Sequence, residues 1–123
     1  MRCEWITHKG KSILYSDFSN IRVPDEAIKL LEMVDEMFPQ KGPKVRHLMN
    51  FTNAAMSPDF MEKAKMVGKK HYSIGYKDCY YGVTPLKKVM LNGYLLFAGN
   101  ASRAKVFDPG QPLEQALDWL AEG

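Results

Sequence analysis

The stretch Lys44-Val45-Arg46-His47-Leu48-Met49-Asn50-Phe51, followed by Thr52-Asn53-Ala54-Ala55-Met56 and then Ser57-Pro58-Asp59-Phe60-Met61, decides the fold class. In its first part Val45, His47, Met49 and Phe51 share one face of an extended chain, and Arg46, Leu48 and Asn50 share the other. That mixed pattern predicts an inner strand with helices on one side. Thr52 to Met56 is a loop. Ser57 is then an N-cap, Pro58 suits the first helical position, and Asp59 places an acid in the first turn. Phe60, Met61, Ala64, Val67 and Gly68 carry a helical stripe that ends at the basic cluster Lys69, Lys70 and His71. A strand that feeds a helix through a short loop is half of a parallel crossover unit.

Outward on the amino-terminal side, Pro24 opens a helix with Asp25 and Glu26 at its positive end. Ala27, Ile28, Leu31, Val34 and Phe38 form its stripe, with Leu30 widening it, and Phe38-Pro39 and Lys41-Gly42-Pro43 stop it. Before it lie two short strands, Cys3 to Thr7 and Ser12 to Phe18. The turn His8-Lys9-Gly10-Lys11 joins them as a hairpin. On the carboxyl-terminal side, Tyr72 to Val83 reads as a strand, with Ile74, Tyr76, Tyr80 and Val83 apolar. Thr84-Pro85 opens a third helix with Leu86, Val89, Met90 and Leu95 as its buried side, weakened at Gly93 and ended by Gly99-Asn100. Ala104 to Phe107 is a fifth strand. Asp108-Pro109-Gly110 turns the chain, and Pro112 opens a last helix with Leu113, Ala116, Leu117 and Leu120 inward. The expected architecture is therefore α/β in the order β-β-α-β-α-β-α-β-α. It has a mainly parallel five-stranded sheet and one antiparallel leading strand.

With 123 residues, one domain spanning 1–123 is expected. No apolar run reaches the ~20 residues that span a bilayer. The charged start Met1-Arg2-Cys3-Glu4-Trp5 is unlike a signal peptide, so the expected compartment is the cytoplasm. The net charge of +3 is too small to argue for nucleic acid. Its distribution is uneven, with residues 24–40 summing to −4 and residues 41–88 to +7. We read the basic segment first as a solvated face, with attraction of phosphates or of an acidic partner as the alternative. Cys3 and Cys79 have no metal-like spacing, and two free thiols are expected.

Catalytic signatures are absent: there is no G-x-S-x-G and no glycine-rich phosphate motif. His8, His47 and His71 lack ligand spacing, so neither a metal nor a cofactor is expected. Asp17 is read as a turn residue bonding toward Ser19 and Asn20. The segment from Asn50 to Asp59 holds the candidate site. It follows the carboxyl end of an inner strand, where open α/β sheets commonly bind ligands, and it ends on helix N–H groups that suit an anion. Ser57 is either a plain N-cap or a phosphoacceptor, with Thr52 and Asn53 as companions in an anion or partner site. Met56, Met61, Tyr76 and Tyr80 either line an apolar ligand pocket or belong to the core and its rim.

Three segments carry a family resemblance. They are His8-Lys9-Gly10-Lys11-Ser12-Ile13-Leu14-Tyr15-Ser16-Asp17-Phe18-Ser19, Val83-Thr84-Pro85-Leu86-Lys87-Lys88-Val89-Met90-Leu91-Asn92, and Phe107-Asp108 through Ala116-Leu117-Asp118-Trp119-Leu120. They resemble bacterial SpoIIAA-like proteins, small stand-alone relatives of STAS domains that are also grouped with the CRAL-TRIO lipid-binding-like fold. The resemblance implies the same strand and helix order and action by protein contact. It also implies a phosphorylatable serine at the start of the helix after the third strand, which Ser57 matches by position. The family's Asp-Ser-Ser-Gly is replaced here by Ala55-Met56-Ser57-Pro58.

Together these readings predict a non-enzymatic regulatory or protein-interaction module whose contact surface is the Thr52–Met61 region and its neighbouring helix. The alternative is a carrier or sensor of a small apolar, lipid-like ligand. The expected partners are a protein and a second copy of the chain, since small domains with an exposed hairpin edge and many apolar side chains often associate symmetrically; the sequence does not identify the dimer surface, and no nucleic acid and no stable membrane insertion are expected.

Overall fold

The computed structural model describes residues 2–98 and 101–123, and their side chains except at 90, 93–98 and 101. The chain opens with β1 (Cys3–His8) and β2 (Lys11–Asp17), paired antiparallel from Cys3 opposite Ser16 to His8 opposite Lys11. Lys9 and Gly10 both take positive φ, 50° and 79°. A two-residue turn of that hand matches the twist of its flanking strands. Next come α1 (Pro24–Met37), β3 (Val45–Asn50), α2 (Pro58–Lys70), β4 (Gly75–Tyr81), α3 (Pro85–Ala98), β5 (Ala104–Phe107) and α4 (Leu113–Ala121). The five strands lie in sequential order, and every pair after the hairpin is parallel. The fold is the α/β class and strand arrangement expected from the sequence.

Three successive crossovers run in one direction, so their shared handedness lays α1, α2 and α3 on the same face of the sheet. Leu30, Leu31 and Val34 of α1, Phe60 and Val67 of α2, and Leu91 of α3 bury there with Val45, Met49 and Tyr80. α4 crosses to the opposite face and packs Ala116 and Leu120 on Ile13, Leu48, Cys79 and Phe107. The single-sided cover expected for β3 is thus corrected. The mixed pattern predicted helices on one side, but α4 covers the second face and five of the six β3 residues are buried. Arg46 is buried because its guanidinium donates to the Leu120 carbonyl in the last turn of α4 and to the Glu122 (2.9 Å) and Gly123 (3.0 Å) oxygens just beyond it. A cation is favoured at that end of a helix.

Three more local expectations need correction. Tyr72, Ser73 and Ile74 form a 3-10 turn, so β4 begins only at Gly75. The chain leaving α2 tightens through His71 before it extends, and the Ile74 and Gly75 N–H groups both bond the His71 carbonyl. Leu86 and Val89, expected on the buried side of α3, are 80% and 71% exposed. The inward position one turn before Leu91 is Lys87, whose ammonium reaches the Ala54 carbonyl. Met90, Leu95 and Gly93 as a weak point lie outside the described side chains, and Gly99-Asn100 outside the described residues. Among the described residues, no helix is long and apolar enough to cross a membrane.

Candidate functional site

The segment after β3 is closed upon itself. Asn50 Oδ1 accepts from the Thr52 backbone N–H (3.1 Å) and from Thr52 Oγ1 (2.7 Å). Asn53 sits at φ 55°, donates its amide to Asn20 Oδ1 (3.0 Å), and its carbonyl accepts from Arg22 (3.4 Å). Gly82 crosses directly over this turn: at its φ of 79°, a Cβ would stand 2.7 Å from the Thr52 nitrogen. Ser57 caps α2 by accepting from the Phe60 N–H (3.1 Å). Thr52 and Asn53 therefore spend their polar groups on the loop, and Ser57 on its helix.

A cavity of about 60 Å³ opens between the sheet and the three-helix layer. One water needs ~10–15 Å³ on this measure, so the space would hold a few waters. Its floor follows from strand alternation. His47 and Met49 of β3 project to the same face as Asp78 and Tyr80 of β4, and the register sets His47 beside Asp78 and Met49 beside Tyr80. Its roof is Leu31 and Val34 of α1, Phe60, Met61, Ala64 and Val67 of α2, and Leu91 of α3.

The two ends of the cavity differ. Toward the carboxyl ends of the strands, Phe18 stacks on Phe51 at 5.0 Å and meets Phe60 edge-on at 5.4 Å, with Met56 and Met61 beside them. Toward the amino ends stand His47, His71, Asp78 and Arg103. Phe38 separates the two histidines, stacked on His71 (5.2 Å) and edge-on to His47 (5.5 Å). His71 Nε2 lies 2.7 Å from Asp35 Oδ1, and Lys70 reaches the same carboxylate at 3.1 Å. Burial raises the Asp35 pKa, but the hydrogen bonds from His71 and Lys70 outweigh it and leave the net value below the ordinary one. Arg103 stands over the Tyr72 ring (4.1 Å to the centroid) and donates to the Gly75 carbonyl (3.0 Å). Its Nε is 3.7 Å from Asp78 Oδ2, beyond hydrogen-bond length, and is a buried donor with no acceptor.

His47 is enclosed on every side. Burial pushes its pKa down to about 3, so the ring is neutral at ordinary pH. Its Nε2 lies 2.7 Å from Ser16 Oγ, which is 3.6 Å from Cys3 Sγ. This chain of polar atoms runs from β3 over β2 to β1 on the three-helix face of the sheet. Ser16 is fully buried and does not line the cavity, so its hydroxyl faces no space where a substrate could stand. Burial also raises both thiols, Cys79 to about 12.

Of the residues singled out from the sequence, Met56, Met61 and Tyr80 line this cavity and Tyr76 does not. The register jumps between Val45 opposite Gly75 and Arg46 opposite Lys77, and Tyr76 is the extra residue. A bulge re-aims its side chain. Tyr76 instead sits under the Arg46 guanidinium at 4.8 Å. Sequence reasoning missed His47, Asp78 and Arg103. The signal for His47 was its place between Val45 and Met49 on an apolar face, which marks a buried histidine. Among the described residues, no three His, Cys, Asp or Glu side chains gather as a metal-holding group. No family model, curated protein or solved structure matches the chain.

Proposed function

We propose that the chain is a carrier or sensor of a small apolar ligand held between the sheet and its three-helix face. The cavity supports this reading: space is kept beside Met49, Met56, Met61, Phe18, Phe51 and Phe60, between the sheet and its three-helix cover. Protein interiors pack to crystal-like density, and voids larger than a water are few per domain. Apolar cavities stay dry and accept apolar guests, and methionine lets such a wall adjust to the guest's shape. The test is native mass spectrometry of the freshly purified chain, together with its melting temperature in rising toluene. We expect either an adduct mass that denaturation removes, or a saturable rise in melting temperature as toluene fills the site. A clean mass together with a flat melting temperature overturns the reading.

A second reading, the regulatory or interaction module implied by the STAS resemblance, draws support from the helical surface. Met66 of α2 and Leu86 and Val89 of α3 are large apolar side chains in water, on helices that pack against each other. Exposed apolar clusters mark association surfaces. If this surface pairs two copies, the wild-type chain sediments as a dimer and Leu86→Lys/Val89→Lys sediments as a monomer. Equal sedimentation of the two removes homodimerisation through this surface.

A further inference from the structure

The sheet ends differently on its two sides. β5, one outer strand, has four residues and an exposed lysine, Lys105. Short, lysine-bearing edges resist pairing with another chain. β1, the other outer strand, has six residues, no Lys, no Pro and an unbroken register with β2. Its backbone groups alternate in direction. The Asp17 N–H donates to the Arg2 carbonyl at 2.6 Å, and the register then places the further bonds to β2 on Glu4, Ile6 and His8. Cys3, Trp5 and Thr7 therefore point their N–H and C=O groups away from the sheet. Among the described residues, β1 pairs with β2 alone. Trp5, on the three-helix side, and Ile6, on the α4 side, are half-buried at this same edge. A strand laid alongside would cover both.

We propose that β1 is a self-association edge, on which a second copy of the chain lays its own β1 antiparallel and joins the two sheets into one. β1 is complementary to itself. A two-fold axis at Trp5 sets Cys3 opposite Thr7 of the second copy and Trp5 opposite Trp5, so every outward residue exchanges both of its bonds. The two indoles then meet as a cross-strand aromatic pair. Each indole is already held through its Nε1–H by Gln40 at 3.2 Å, so little rotamer freedom is lost on pairing. Glu4 faces Ile6 of the second copy. An axis one residue earlier, at Glu4, would set two carboxylates opposite each other, which is destabilising. One residue later, at Ile6, it would leave Cys3 opposite Lys9 in the turn. The pairing needs neither the cavity nor the helical surface of Met66, Leu86 and Val89.

Sedimentation equilibrium of the full chain, with amide hydrogen exchange read residue by residue by NMR, tests the edge. The wild-type chain should sediment at twice its 14.0 kDa mass. The Cys3, Trp5 and Thr7 amides should exchange more slowly in concentrated than in dilute protein, while those of Glu4, Ile6 and His8, bonded to β2, stay protected in both. Thr7→Pro removes an outward N–H and leaves the bonds to β2 in place, so it should halve the sedimenting mass. Should that variant fail to fold by circular dichroism, Trp5→Lys, which sets two ammonium groups opposite each other at the axis, is expected to do the same. Leu86→Lys/Val89→Lys should remain a dimer. A wild-type chain that stays monomeric at every concentration overturns the proposal. A dimer whose Trp5 and Thr7 amides exchange as fast as in dilute protein overturns it too. So does a folded β1 variant that keeps the dimer mass, or a dimer that Leu86→Lys/Val89→Lys splits.

Discussion

The two faces of one sheet are built on different terms. On the α4 face, Ile13, Leu48, Cys79, Ala116 and Leu120 have no solvent exposure, and two cations find acceptors at the end of the covering helix. Arg46 and Lys77 both deliver their charge to carbonyls at the end of α4, Lys77 to Trp119 at 2.7 Å. On the three-helix face, the same two central strands present His47, Met49, Asp78 and Tyr80 to a cavity. There a guanidinium nitrogen is left without an acceptor. Residues i and i+1 of a strand thus serve opposite ends. Leu48 and Cys79 close one face for stability, while their neighbours hold space open on the other. Voids and orphaned donors both cost stability, and their presence together on the three-helix face is what the proposed ligand site rests on.

The comparison can be broken most forcefully at Leu120. Truncation in a close-packed layer should be expensive: Leu120→Ala is expected to cost about 2–5 kcal/mol in urea unfolding. A cost under ~1 kcal/mol would mean that the α4 face is as loose as the other. Paired insertions sharpen the point further. Adding methyl groups at Ala116, which is fully buried where α4 meets the sheet, should destabilise by about 1–3 kcal/mol in Ala116→Val. Adding one methylene at the cavity wall in Val67→Ile should change stability by no more than ~0.5 kcal/mol and weaken toluene binding. Equal costs at the two positions would erase the distinction between the faces.

Acid should act through the cavity face. His47 has a folded-state pKa of about 3 against about 6.5 for an unperturbed histidine. Between those values the unfolded chain binds the extra proton, so stability falls as pH drops below about 6.5, by up to ~1.4 kcal/mol per pH unit. Asp35 and Asp118, both held low, add to the loss in stronger acid. Urea midpoints at pH 7 and pH 5 test this, and His47→Gln should flatten the difference. A smaller effect is expected at the loop: Ser57→Ala should cost about 1 kcal/mol through the lost cap to Phe60. A wild-type midpoint in Ser57→Ala would remove the capping role.

The strand-loop-helix from Val45 to Lys70 was legible because its signals are local: two-residue alternation, then Ser-Pro-Asp, then a helical stripe. The hairpin was legible for the same reason, through Gly10. What escaped was set at a distance. Lys87 takes an inward turn of α3 because the Ala54 carbonyl lies within its reach, so the apolar residues Leu86 and Val89 misled the periodicity. Tyr76 left its expected face because β4 carries one residue more than β3 where they pair. In the candidate site, Met56, Met61 and Tyr80 could be named from residue type alone. The polar end could not: His47 and Asp78 become neighbours only through strand register, and Arg103 joins them only because the turn before β5 packs on β4.

Methyl NMR on a chain labelled at its methionine methyls tests whether the three-helix face holds space for an apolar guest. In a toluene titration, the account predicts saturable shifts at Met49, Met56 and Met61, which line the cavity, and none at Met66, which is exposed on the outer side of α2. Shifts that never saturate, or that are largest at Met66, would contradict it.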